Sequence, residues 1–168
     1  LKAYQSDNLP KSKGNEIKHH WTGVSKKIDI ILNFMNKNKN NSHIIFMDCD
    51  VFILKPEFDK IIELYKDYDI VCPCEIHFQT SFNIGFMLLK NTKKMRKFIE
   101  NVSNIINMKN RHDQEVVNEI IKNNTNIKAA FFDLDHVFVF PTLFSIFTVQ
   151  KPYVIKPIRT PFMKKKTK

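Results

Sequence analysis

Short apolar runs alternate with stripes of helical period along most of this chain, and that alternation limits its fold more than any other feature. His43 to Met47 is a run of strand length that ends in Asp48-Cys49-Asp50. Residues 69–74, 82–89 and 128–132 read as further strands. Between them lie amphipathic segments. Ile28, Ile31, Leu32 and Met35 share one face of a helix expected over 25–37. Phe58, Ile61, Ile62 and Tyr65 do the same over 56–66, where Pro56 suits a first helical turn. Met95, Phe98, Ile99, Val102, Ile105 and Ile106 mark a helix over 92–108, and Asp113 is expected to cap one carrying Val116, Val117, Ile120 and Ile121. The pattern predicts an α/β fold with a mostly parallel central sheet flanked by helices. Ligands of such sheets bind beyond the carboxyl ends of strands.

Composition sets the outer bounds. The 168 residues suit one domain, taken as 1–168, with residues 1–20 and 150–168 read as loop or tail. Hydrophobic residues make up 43%, enough for a packed core. Only 3 glycines occur, too far apart for a GxGxxG or Walker A phosphate loop. The net charge is +10, but the lysines are dispersed apart from Lys164 to Lys168, so no nucleic-acid partner is expected. Three cysteines give no disulfide framework, and Cys72-Pro73-Cys74 lacks the second pair that structural zinc needs. The apolar stretch 129–149 carries Asp133, Asp135 and His136, which argues against a membrane span; compartment is left open.

Four constellations could carry chemistry. Asp48 and Asp50 follow a buried strand, and in an extended chain residues i and i+2 face the same way. Both carboxylates could then reach one hard cation such as Mg²⁺ or Mn²⁺. The plainer alternative is a solvated strand end. Asn83 and Gly85 lie in an apolar run, where glycine suggests close approach of a ligand or backbone, or a bulge with Asn83 forming a turn. Arg111 to Glu115 is a polar helix start, with Asp113 and Gln114 able to face a ligand crevice or simply to cap. Asp133, Asp135 and His136 form a second acidic strand end. Lys26 and Lys27 open the first helix, and Glu75, His77 and Gln79 sit on a connection that polarity alone does not single out.

Taken in order, Ser25-Lys26-Lys27, IIFMDCDVFILKP, FNIGFMLLKNT, an amphipathic helix and HDQEVVNEII resemble the nucleotide-diphospho-sugar transferases, glycosyltransferases of the GT-A fold. The likeness runs over about residues 20–135. It implies that Asp48 and Asp50 bind Mn²⁺ or Mg²⁺ holding the diphosphate of a nucleotide sugar, most often UDP-linked. It implies that Asn83 and Gly85 line the donor-sugar pocket, that Lys26 lies near the phosphates, and that Asp113 and Gln114 lie at the donor sugar and acceptor. An acceptor hydroxyl of a glycan, protein or small molecule would attack the anomeric carbon, with retention. Two departures stand out. The residues before the first helix are too few and too polar for the family's first strand and nucleoside-binding loop. No histidine follows His136, where the family tends to place a third metal ligand. The chain is therefore expected to be N-terminally incomplete or divergent. Two other readings compete. One is a haloacid-dehalogenase-type phosphatase, with Asp48 as nucleophile and Asp50 as general acid/base, although Phe52 does not suit it. The other is a non-enzymatic basic binding module.

Overall fold

The computed structural model describes residues 17–75, 78–133, 137–140 and 154–157, with side chains described over 26–75 and 81–133. The chain forms two compact units, one of residues 1–42 and 91–124, the other of 43–90 and 125–168.

The first unit is helical. α1 (Ile17–Lys37), α3 (Lys93–Lys109) and α4 (Asp113–Asn123) pack pairwise, while α2 (Phe58–Tyr65) belongs to the other unit. Ile28, Ile31 and Met35 of α1 are buried, as are Met95, Phe98, Ile99, Val102 and Ile106 of α3 and Val116 and Val117 of α4. These are the stripes expected from the 3.6-residue period. α1 begins eight residues before the expected start, within the stretch read as loop. Gly23 looks like a break there, but a single glycine costs a helix only about 1 kcal/mol relative to alanine. α3 starts on Thr92, whose hydroxyl accepts from Met95 N–H at 3.2 Å, and ends on Asn110 in the left-handed region at φ 50°. Asn91 joins the two long helices. Its Nδ2 donates to the carbonyls of Met35 (3.2 Å) and Asn38 (2.8 Å), and its Oδ1 accepts from Arg96 Nη1 at 2.9 Å.

The second unit is built on a four-stranded sheet. β1 (His43–Met47), β3 (Ile70–Cys72), β6 (Phe86–Lys90) and β7 (Ala129–Phe131) lie in the order β1-β6-β3-β7. β6 is antiparallel to both β1 and β3, and β3 is parallel to β7. The α/β class stands, but the mostly parallel pairing does not, because two of the three pairings are antiparallel. The reason is topological. Parallel neighbours need a crossover, usually a helix. Among the described residues no helix separates β3 from β6, and β6 returns beside β3 in the opposite sense. β3 and β7 are separated by α3 and α4, and they run parallel. Along each strand alternate residues face α2: Phe86 and Leu88, Val71, and Phe132 pack with Phe58, Ile61 and Tyr65. Tyr65 and Phe132 meet edge to face at 5.0 Å.

Two smaller sheets complete the unit. β4 (Cys74–Glu75) and β5 (Phe78–Phe82) form a hairpin, and Pro73 separates β4 from β3. β2 (Phe52–Ile53), β9 (Val154–Pro157) and β8 (Val137–Phe140) form a three-stranded sheet in that order. β9 lies inside a stretch read as tail. No helix among the described residues is long and apolar enough to cross a membrane.

Candidate donor site

The acidic pair sits where β1 ends, but on a turn rather than an extended run. Val51 N–H donates to the Asp48 carbonyl at 3.2 Å, closing a four-residue turn with Cys49 and Asp50 at its centre. Aspartate suits the first position of such a turn. The same-side argument from strand geometry therefore does not apply. The two carboxylates are instead carried two residues apart on one turn. Cys49 between them is exposed, whereas Asp48 and Asp50 are half-buried and Oδ1 of Asp50 is shielded from solvent.

The Asn83-Ile84-Gly85 segment is also a turn, joining β5 to β6, so Gly85 lies ahead of the strand and not inside it. Asn83 is buried, and its Oδ1 accepts from Gly85 N–H at 3.0 Å. This is the side-chain turn that asparagine favours. Gly85 is buried, and its carbonyl accepts from Asp48 N–H at 2.8 Å. A residue without a side chain suits that close approach of two backbones. The two motifs that sequence reading treated separately are thus joined by a backbone hydrogen bond.

Glu75 is the residue that sequence reading left unassigned. Its Oε2 accepts from Asn83 Nδ2 at 2.7 Å. Only the hairpin between β3 and β6 brings positions eight apart into contact, and a continuous apolar-polar pattern gives no sign of it. Beside it, burial and then the Glu75 carboxylate push the Cys74 thiol above its ordinary range. None of the three cysteines is in a disulfide, and Cys72 is buried.

In the helical unit, Asp113 is the first residue of α4 and His112 is its cap, one position earlier than expected. His112 Nδ1 accepts from Gln114 N–H at 3.2 Å, and Asp113 Oδ1 accepts from the same N–H at 2.8 Å. A carboxylate in the first turn is favoured by the helix dipole. Asp113 is only 3% exposed and lies 3.4 Å from Lys27 Nζ. Lys26 is exposed, so Lys27 is the lysine of this pair that the structure ties to Asp113. Gln114 is half-buried beside them.

The second acidic strand end is partly accounted for. Asp133 Oδ2 accepts from the Tyr65 hydroxyl at 3.2 Å, and that hydroxyl accepts from Asp133 N–H at 2.9 Å. Burial leaves the Tyr65 hydroxyl harder to ionise than usual; the Asp133 backbone N–H works against that and the Asp133 carboxylate adds to it. Asp135 and His136 lie outside the described residues. Among the described residues no three His, Cys, Asp or Glu side chains form a metal-ligand group.

Comparison with known proteins gives this geometry a family. The sequence matches nucleotide-diphospho-sugar transferases over residues 5–159. None of the curated proteins compared with it matches. Among solved structures, it resembles a glycosyltransferase involved in glycosylation of the major capsid of PBCV-1, with TM-score 0.64 and 16% identity, covering 88% of this chain and 75% of that one. It also resembles the galactosyltransferase LgtC, solved with donor and acceptor sugar analogues, with TM-score 0.55 and 14% identity, covering 81% of this chain and 60% of that one. At such identities the likeness concerns the fold, which is GT-A. The family match replaces the phosphatase and binding-module readings. The chain belongs to the nucleotide-diphospho-sugar transferases, and it is a glycosyltransferase.

Proposed function

We propose that the chain works as one domain over residues 1–168 and moves a sugar from a UDP-linked donor to an acceptor hydroxyl, with retention and with Mn²⁺ or Mg²⁺. The observation that carries this reading is the Asp48–Asp50 turn at the end of β1, hydrogen-bonded at 2.8 Å to the Gly85 turn in a chain of this family. The donor set fits a hard cation. Mg²⁺ is usually held by one or two carboxylates, with substrate phosphate and water completing its shell, so three protein ligands are not required. A cation bound there would supply Lewis-acid stabilisation of the departing diphosphate.

The chain's own residues then have distinct tasks. Asp48 and Asp50 would hold the cation through their carboxylate oxygens. Asn83 and Gly85 line the donor sugar. Lys26 lies near the donor phosphates. Asp113 and Gln114 act at the donor sugar and the acceptor, with the Lys27 ammonium 3.4 Å from the buried Asp113 carboxylate and orienting it. The acceptor oxygen bonds to the anomeric carbon on the face that the diphosphate leaves, the bond from that carbon to the diphosphate oxygen breaks, and the acceptor's proton passes to the departing phosphate oxygen.

UDP release from UDP-glucose and UDP-galactose, with saccharide acceptors and Mn²⁺, tests the reading. It expects release that EDTA stops and a product that keeps the donor's anomeric configuration by NMR. Release indifferent to chelator, or an inverted product, contradicts the corresponding part of the proposal.

A further inference from the structure

Asn83 is held at both ends of its amide. Gly85 N–H reaches its oxygen at 3.0 Å and Glu75 receives its nitrogen at 2.7 Å. Its backbone N–H donates to the Pro73 carbonyl at 2.8 Å, so the residue is pinned at three points. The partner at the nitrogen end is a carboxylate, and this choice carries information. An ionised carboxylate only accepts hydrogen bonds, whereas a glutamine or serine could either donate or accept. Facing Glu75, the Asn83 amide can present only its nitrogen. Its oxygen must then turn toward Gly85, whose carbonyl receives Asp48 N–H at 2.8 Å.

The backbone is shaped for this contact. Cys74 pairs with Phe82, but Glu75 pairs with Phe78, so the ladder shifts register between Cys74 and Glu75. Irregularities of this kind re-aim a side chain and gather beside active sites. An ordinary hairpin would need neither the shift nor a charge at this position. A hydrogen bond to a charged acceptor is also stronger than its neutral counterpart.

We infer that Glu75 is a positioning residue of the donor site, one that fixes the orientation of the Asn83 amide and acts on the donor sugar only through it. The inference rests on the reading of Asn83 and Gly85 as the lining of the sugar pocket. It makes sugar recognition, as distinct from nucleotide binding, depend on a side chain in the β4–β5 hairpin.

The test measures binding by calorimetry in Mn²⁺, with UDP, UDP-glucose and UDP-galactose as probes. The proteins are wild type, Glu75→Gln, Asn83→Ala and the double variant, each checked for an unchanged thermal melt. Glu75→Gln keeps the side-chain shape but no longer dictates the amide's orientation. The account expects the better-bound UDP-sugar to weaken about tenfold in Glu75→Gln, the order of one charged hydrogen bond, while UDP alone stays within about threefold. The double variant should match Asn83→Ala within about twofold, because a residue acting through another adds nothing once that other is gone. Losses that multiply in the double variant, or an equal loss for UDP alone, overturn the role of Glu75. A wild-type chain that binds none of the three probes overturns the donor reading itself. The contact can also be read without ligand or substitution. The Asn83 carboxamide protons should exchange more slowly than those of the exposed Asn101 and Asn123; equal exchange overturns the inference.

Discussion

Replacing Asn91 by alanine removes the side chain that closes the carboxyl end of α1. The Met35 carbonyl is one of the terminal carbonyls that a helix cannot satisfy internally. Asn91 Nδ2 supplies its partner at 3.2 Å and also serves the Asn38 carbonyl at 2.8 Å, while Oδ1 receives Arg96 at 2.9 Å. Met35 is fully buried, and Asn91 is 7% exposed. Water therefore has poor access to the Met35 carbonyl once the amide is gone. Leaving that group unsatisfied costs about 1–3 kcal/mol, and the more accessible Asn38 carbonyl adds about 0.5–1.5 kcal/mol. The sum is about 1.5–4.5 kcal/mol. Thr92→Ala, next to it, loses one cap bond to Met95 N–H and should cost about 1 kcal/mol. Urea unfolding followed by fluorescence of Trp21, the single tryptophan and part of α1, ranks the two. The account expects a clearly larger midpoint shift for Asn91→Ala at unchanged m-value. A shift no greater than that of Thr92→Ala would refute the reasoning and make the Asn91-Thr92 pair a helix start alone.

Two further outcomes follow from charge. Lys27→Met should destabilise the helical unit by about 1–3 kcal/mol, below the cost of a wholly uncompensated buried charge because Gln114 N–H still serves Asp113. A double-mutant cycle with Asp113→Asn should show coupling of about 1 kcal/mol or more, and additivity would contradict the pairing. His43 lies opposite Lys90 in the β1–β6 ladder, and burial first, then that ammonium, hold its imidazole below the ordinary value of 6.5. A lowered histidine value favours the neutral folded form. Its contribution is therefore complete above pH 6.5 and is lost as pH falls through the folded value. Urea midpoints measured from about pH 7.5 down to about pH 5 should fall less steeply in His43→Gln than in the wild type; identical slopes would contradict the assignment.

Local periodicity made much of this architecture legible. The stripe from Met95 to Ile106 gave α3 to within a residue at each end, and the run from His43 to Met47 gave β1 without change. The acidic pair at the end of β1 and the polar start of α4 were legible too, because one follows a strand and the other opens a helix. What periodicity does not carry is the direction of pairing. Phe86 to Leu89 reads the same whichever way the strand runs, and it is the β4–β5 hairpin, in place of a crossover helix, that turns β6 back. Turn geometry is equally hidden. Asp48-Cys49-Asp50 as an extended run and as a turn differ by one backbone hydrogen bond, and Gly85 as a strand residue and as a turn residue differ by the Asn83 side chain that caps it. Glu75 escaped for a third reason: its meaning lies in a contact across a hairpin whose register shifts. Lys27 and Lys26 are adjacent and chemically alike, so only burial tells which one reaches Asp113.

The central claim is that Asp48 and Asp50 bind a nucleotide diphosphate through a divalent cation. Calorimetric titration of UDP into the chain in Mn²⁺, repeated in EDTA and with Asp48→Asn and Asp50→Asn, tests it directly. The account predicts saturable binding in Mn²⁺ that chelation abolishes and that either substitution weakens by at least about tenfold, with the thermal melt intact. Binding of UDP that survives both chelation and the two substitutions would contradict it.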